Sequence, residues 1–349
     1  MELDEYRLYV KETLNLYPKY LQDEFIKSLR GKDLINTNSK KKDLPIDMVD
    51  LSTTTKIEEK IKRSIDEIPT ALTMFNTMEF EKGYKYSVLF RCDGLDYETI
   101  VKQINSCDHI MISDTALEEM ETIPSIAYLQ ENPKNIKLKF IFRYDKLDPD
   151  GNPIKFKYPL IVTIFKENDL IDFRFDRLSR NLFRDNTDVY CRNILLIKRW
   201  LLNKLGIIVL NVDMQEIVES IIANEVDVVK YAQSMNSRTG GEATLKVNEN
   251  YVLPILGELK KLIADRKDLF DKSPEIKELL NDFISDIEET SDLPWITLCW
   301  KKERRIKNTN VRFSFDYMNQ GYTLLQYTGI LQDMERMNKI VECIARNMG

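Results

Sequence analysis

Residues 136–178 decide the fold of this 349-residue chain: IKLKFIFRYDKLDPDGNPIKFKYPLIVTIFKENDLIDFRFDRL. Apolar side chains such as Leu138 and Phe140 alternate with other residues, the pattern of a strand with one face toward a core. Turn-forming residues at 148–153 and 167–169 divide the stretch into three such strands. Three strands joined by tight turns predict an antiparallel β-meander.

Helical patterns surround this meander. Apolar residues recur at intervals of three and four over 3–29 and again over 331–348, which predicts an amphipathic helix at each end of the chain. A second strand-rich region at 295–327 predicts another meander. We therefore predict an α+β fold with two lobes, each an antiparallel meander flanked by helices. The predicted parts are an N-terminal helical segment with a lysine-rich loop at 1–80, a lobe at 81–183 and a lobe at 184–349.

Three helices have informative ends. Pro18 should kink or split the first helix, because proline lacks the N–H that an internal helical position donates. Residues 189–205 are apolar almost all round and are followed by Gly206, which predicts a buried central helix. A helix capped at Asp213 is predicted to run to about Met235.

Composition excludes several classes of protein. The net charge is −6, so the molecule as a whole is not a polycation. No stretch approaches the eighteen apolar residues of a membrane span, and the start of the sequence lacks a secretory signal. Five scattered cysteines are typical of a reducing compartment. We therefore expect a cytoplasmic protein without membrane association. The lysine-, isoleucine- and asparagine-rich usage indicates an AT-rich genome and suggests a bacterial or phage-related setting, for instance an anti-phage system.

The usual catalytic groups are scarce. His109 is the one histidine; Cys107 lies nearby, but no second pair completes a tetrahedral metal site. Asp172 and Asp176 share one strand face, but Arg174 stands between them, which favours ion pairing over metal binding. We expect no catalytic residue, metal or cofactor. The alternative is a divergent Mg²⁺-dependent nuclease whose carboxylates converge only in three dimensions, with Asp172 and Asp176 as the first candidates.

Arginines are unevenly distributed. Six of the 18 lie within 26 residues, and eight basic against four acidic residues give 171–205 a charge of +4. Six basic residues against one acidic residue give 300–312 a charge of +5. Guanidinium groups bind phosphates and carboxylates in a bidentate manner. The predicted binding residues are Arg174, Arg177, Arg180, Arg184, Arg192, Arg199, Lys301, Lys302, Arg304, Arg305, Lys307 and Arg312.

These observations favour a non-catalytic subunit that binds nucleic acid, DNA or RNA, or a partner protein through arginine-rich surfaces. A basic two-stranded ribbon formed by 300–312 would bind along a phosphate backbone. Alternatively, the arginines pair with the acidic helices at 252–289 or with a protein partner. A third alternative is an adaptor that binds proteins alone. The sequence leaves the oligomeric state open.

Overall fold

The computed structural model describes residues 3–39, 44–92, 96–106, 110–112, 126–132, 134–147, 150–178, 187–236, 242–246, 256–290, 292–301, 308–328 and 334–348. The fold is mixed α+β with an antiparallel sheet, as predicted. The chain forms two compact units. Unit 1 comprises residues 1–82 and 91–210, and unit 2 comprises 83–90 and 211–349.

Unit 1 combines helices with a sheet in the order β8-β7-β6-β5-β4. Its elements in chain order are α1 (Leu3–Leu16), α2 (Lys19–Gly31), β1 (Ile35–Asn36), β2 (Val49–Asp50), α3 (Ile57–Glu67), α4 (Ala71–Glu81), α5 (Tyr97–Asn105), β4 (Ile110–Ile112), β5 (Ile126–Asn132), β6 (Asn135–Leu147), β7 (Pro153–Phe165), β8 (Leu170–Phe175) and α6 (Thr187–Leu205). The strands β4 and β5 pair in parallel, and the neighbours from β5 to β8 pair antiparallel.

The predicted meander at 136–178 is confirmed as β6, β7 and β8. The β6–β7 pairing runs without interruption from Asn135 opposite Phe165 to Leu147 opposite Pro153. Asp169, between β7 and β8, adopts a left-handed backbone with φ of 50°, a conformation that aspartate tolerates better than most residues. Local turn chemistry and alternation therefore set the register of this sheet.

Helices cover both faces of the meander. On one face α1 packs along β7, and the Thr13 hydroxyl accepts a hydrogen bond from the Lys157 backbone N–H at 2.8 Å. On the other face α6 places Trp200 edge-on against Phe140, with ring centroids 5.3 Å apart. The first helix ends before Pro18, which precedes α2, as its missing N–H predicts.

The prediction that α6 is buried all round is wrong. Ile194, Ile197 and Leu201 are buried, whereas Leu195 and Leu202 on the opposite side are 48% and 50% exposed. A helix lying on one sheet face covers only the side that meets the sheet. The outer side of α6 therefore presents leucines to solvent.

In unit 2 the strands lie in the order β11-β10-β12-β13-β14-β3, and each neighbouring pair is antiparallel. Its elements are β3 (Tyr86–Cys92, whose last two residues belong to unit 1), α7 (Met214–Asn224), β10 (Val228–Asn236), β11 (Glu242–Lys246), α8 (Leu256–Asp265), α9 (Lys267–Phe270), α10 (Pro274–Thr290), β12 (Asp292–Trp300), β13 (Thr309–Ser314), a 3₁₀ turn (Tyr317–Asn319), β14 (Leu324–Thr328) and α11 (Met334–Arg346). A short strand, β9 (Val209–Asn211), precedes α7 and spans the boundary at residue 210.

The predicted helix from Asp213 to Met235 is too long. The Asp213 carboxylate caps α7 by accepting the Gln215 N–H at 3.0 Å, but the helix ends at Asn224 and the following residues form β10. Pairing of β10 with β12, where Val229 lies opposite Cys299, overrides a local pattern that is compatible with a helix.

A small apolar cluster holds α8, α9 and α10 together. Ile263 and Ile284 are its buried members, and Leu259, Phe270 and Leu280 pack against them. Among the described side chains of α10, those in this cluster lie on the inner side of the helix. Its outer side carries exposed Ile276, Leu279 and Phe283, so these apolar side chains lie in water.

Candidate functional site

The meander contains a layer of buried charges on the face that α1 and α4 cover. Asp172 and Arg174 lie on β8 with their side chains fully buried, and Arg174 Nε donates to Asp172 Oδ2 at 2.6 Å. The ion pairing predicted for this strand is therefore present. Both Nη atoms of Arg174 are without a hydrogen-bond partner in the described part of the chain. Because Arg174 is fully buried, it takes no part in an exposed binding surface.

The same layer continues into a cluster centred on Glu79 of α4. Its Oε2 accepts hydrogen bonds from Lys157 Nζ at 2.6 Å and Lys139 Nζ at 2.9 Å, and all three side chains are fully buried. The Tyr6 hydroxyl accepts a hydrogen bond from Lys157 Nζ at 3.2 Å, and the Tyr17 hydroxyl donates a hydrogen bond to Glu79 Oε1 at 3.0 Å. Two cations thus share one carboxylate oxygen inside the protein.

Burial and mutual interaction shift the pKa values of this cluster. Burial alone would raise the pKa of Glu79, but the Lys157 and Lys139 ammonium groups lower it to about 2. Burial lowers the pKa of Lys139 to about 7, and the attraction of Glu79 offsets this only in part. Burial also opposes the charge of Lys157, but Glu79 and the Tyr6 hydroxyl raise its pKa. The carboxylate therefore holds Lys157 charged and Lys139 only marginally so.

The acidic residues proposed for a nuclease are each bound by a cation. Asp172 pairs with Arg174, and Asp176 accepts a hydrogen bond from the buried ammonium group of Lys82. Among the residues that the structure describes, no three histidine, cysteine, aspartate or glutamate side chains are grouped as a metal site requires. This part of the structure places Asp172 and Asp176 in ion pairs.

The outer face of α6 is the clearest exposed feature among the predicted binding residues. We define it by Arg192, Leu195, Leu196, Arg199 and Leu202. Each of these residues has another member of the set three or four positions away, so all five share one side of the helix. The three leucines are 47 to 50% exposed, and both arginines are exposed. Neither guanidinium has a hydrogen-bond or ion-pair partner within the described ranges. The face combines positive charge with apolar surface.

Of the remaining residues of the first arginine group, the structure describes two, Arg177 and the buried Arg174. Arg177 is exposed just after β8. Arg180 and Arg184 lie outside the described residues. The six arginines predicted as one group are thus one buried residue, one exposed residue just after β8, two on α6 and two outside the described residues.

Of the second basic group, the structure describes only residues 300–301 and 308–312. Lys301 is exposed, whereas Lys302, Arg304, Arg305 and Lys307 lie outside the described residues. Arg312 on β13 stacks on the Trp295 ring of β12, with its guanidinium carbon 3.7 Å from the ring centroid. Its side chain is partly buried, so Arg312 packs within unit 2 as well as carrying charge.

Cys107 and His109 lie outside the described residues, and none of Cys92, Cys191, Cys299 and Cys343 forms a disulfide within them. Of the described helices, none combines the length and the apolar character needed to cross a bilayer.

Sequence reasoning identified Arg192 and Arg199 but missed the exposed leucines beside them. The signal was present, because Leu195 and Leu202 have the same seven-residue spacing as the two arginines. No protein-family model matches the chain, and no curated protein is significantly similar to it. The function is therefore inferred from the geometry of these surfaces.

Proposed function

We propose that this protein is a complex-assembly subunit that binds an acidic, partly apolar protein surface through the outer face of α6. One observation carries the proposal: two arginines that have no partner among the described residues share that face with three half-exposed leucines. Contiguous exposed apolar surface is typical of a protein-binding site. Arginine is also enriched at protein interfaces, where it pairs with carboxylates.

The leucines favour a protein partner over nucleic acid. Contacts to a phosphate backbone need charge and hydrogen-bond donors, and they gain nothing from aliphatic side chains. Leu195, Leu196 and Leu202 instead gain free energy when a partner removes them from water, at about 25 cal/mol per Å² of apolar surface. Charge from Arg192 and Arg199 would then orient the partner and speed its association.

The cysteines support a cytoplasmic location for such a subunit. Cys92, Cys299 and Cys343 are buried without forming a disulfide within the described ranges. Buried thiols persist in a reducing compartment, where disulfides are rare. We therefore propose that the complex assembles in the cytoplasm.

Fluorescence anisotropy with three labelled probes tests the proposal. The probes are an acidic amphipathic helical peptide of about 20 residues, a DNA duplex and a single-stranded RNA. The variants are Arg192→Glu/Arg199→Glu, which reverses the charge, and Leu195→Ser/Leu202→Ser, which removes apolar surface. The matched control is Lys27→Glu/Arg30→Glu, an equal charge change at exposed positions of α2.

We expect the wild-type chain and the α2 control to bind the peptide, and both α6 variants to lose at least about tenfold in affinity, equal to about 1.4 kcal/mol. If the chain instead binds the nucleic acids with a steep salt dependence, and the serine variant binds them equally well, the partner of this face is a phosphate backbone and not a protein. Failure of every probe to bind would refute a binding role for this face.

A further inference from the structure

The outer face of α10 is a second exposed surface of mixed character. We define it by Glu275, Ile276, Glu278, Leu279, Asp282 and Phe283. All six are exposed, and the three apolar side chains are more than half exposed. Ile284, on the opposite side of the helix, is buried in the cluster with Ile263. The acidic residues occupy one half of this face and the apolar residues the other half.

The two outer faces are opposite in charge. That of α6 carries two arginines, and that of α10 carries three carboxylates. The three carboxylates, like the two guanidiniums, have no ion-pair or hydrogen-bond partner in the described part of the chain. Opposite charges facing one another across an interface select a partner and disfavour a like-charged one.

The spacings of the two faces also match. On α6, Arg192 and Arg199 are seven residues apart, and so are Leu195 and Leu202. On α10, the pairs Glu275–Asp282 and Ile276–Phe283 have the same separation. Seven residues are two helical turns, about 10.5 Å along the axis. Apolar residues that repeat at this interval pack side by side when two helices lie at a small angle.

We infer that the outer face of α6 binds the outer face of α10 on a second copy of this chain. The inference rests on the proposed function and names the partner. Each face is exposed in the single chain, so a second copy can cover both. Leucines on α6 would pack against Ile276, Leu279 and Phe283, and the arginines would pair with the carboxylates beside them.

Such a contact joins two different surfaces, so a single contact leaves one unused face on each copy. Two copies close the assembly if each contributes both faces to the other, and otherwise the contact continues into a ring or a chain. Sedimentation velocity of the whole 349-residue chain measures this directly. The series covers about 1 to 100 µM protein at about 50 and 500 mM salt, which changes the screening of the charge pairs.

Charge reversal on each face provides the decisive variants. One is Arg192→Glu/Arg199→Glu, and the other is Glu275→Arg/Asp282→Arg. We expect the wild type to exceed the 41.1 kDa monomer mass as concentration rises, and more so at low salt. Each variant alone should remain monomeric at the same concentrations, because its two faces now carry the same charge. The control Lys27→Glu/Arg30→Glu should assemble as the wild type does.

Mixing the two reversed variants separates this inference from simple damage to the fold. In the mixture each face again meets one of opposite charge, so we expect association to return to at least half of the wild-type extent. A wild-type chain that stays monomeric at about 100 µM, variants that assemble like the wild type, or a mixture that stays monomeric would overturn the inference. A monomeric chain that still binds the acidic peptide would leave the proposed function intact.

Discussion

Replacing Lys139 by methionine should cost the protein little stability near neutral pH, although Lys139 is fully buried and bonded to Glu79. Burial lowers its pKa from 10.5 to about 7. Each pKa unit corresponds to about 1.4 kcal/mol, so keeping the proton on Lys139 costs the folded state about 5 kcal/mol below pH 7. Methionine retains most of the side-chain volume and removes that charge, a change that is often neutral or stabilising.

The pH dependence of stability has a definite sign. Below about pH 7 the folded and unfolded chains both bind the Lys139 proton, so this group adds no slope. Between about pH 7 and 10.5 only the unfolded chain binds it, and the free energy of unfolding of the wild type therefore rises with pH. The rise approaches about 1.4 kcal/mol per pH unit. Lys139→Met lacks this contribution, so its stability relative to the wild type should fall between pH 7 and 9.

Urea unfolding of unit 1 can be followed by the fluorescence of Trp200. The other two tryptophans, Trp295 and Trp300, belong to unit 2, so the measurement uses a background in which both are phenylalanine. Glu79→Gln is the matched control. It leaves Lys157 buried without the carboxylate that holds it charged and should cost about 3–5 kcal/mol.

The prediction is refuted if Lys139→Met lowers the free energy of unfolding by about 3 kcal/mol or more at pH 7, the loss expected for an essential ion-pair partner. It is also refuted if the variant and the wild type change in parallel between pH 7 and 9. A small loss at pH 7 with a pH-dependent difference identifies Lys139 as the surplus cation of the cluster.

Two further predictions concern the aromatic contacts. Trp200 is only partly buried against Phe140, so Trp200→Ala should cost about 2 kcal/mol rather than the 3–5 of a fully buried aromatic residue; a loss above about 4 kcal/mol in urea unfolding would contradict this. Arg312→Ala should destabilise unit 2 by about 1 kcal/mol through loss of the stack on Trp295, and Arg312→Lys should restore less than half of that in thermal unfolding. Equal stability of Arg312→Ala and the wild type would show that the stack contributes nothing.

The sequence predicted those parts of the fold that local patterns specify. Alternation and turn residues predicted β6, β7 and β8, and Pro18 predicted the break between α1 and α2. The burial of α6 was not predictable in the same way, because an apolar composition does not say which side a sheet will cover. The end of α7 at Asn224 depends on β12, a strand that begins at Asp292.

The buried charges escaped prediction for a related reason. Lys139 and Lys157 alternate with apolar residues on β6 and β7, and such positions usually face water. Here a second layer of helices covers them, and their carboxylate comes from α4. Of the candidate site, Arg192 and Arg199 were identified from their spacing, whereas the exposure of the leucines between them required the structure.

The shared carboxylate of Glu79 has a consequence for how unit 1 can be made. Its partners Lys139 and Lys157 are 60 and 78 residues away in sequence, and Tyr6 lies 151 residues from Lys157. Such long-range contacts form only after large loops have closed, so they belong late in folding. A fragment that begins after α4 would retain both lysines without the carboxylate. Water would then have to enter its core to solvate the two ammonium groups. The sheet of unit 1 therefore cannot fold without the N-terminal helices, and a truncation that removes them should unfold the unit.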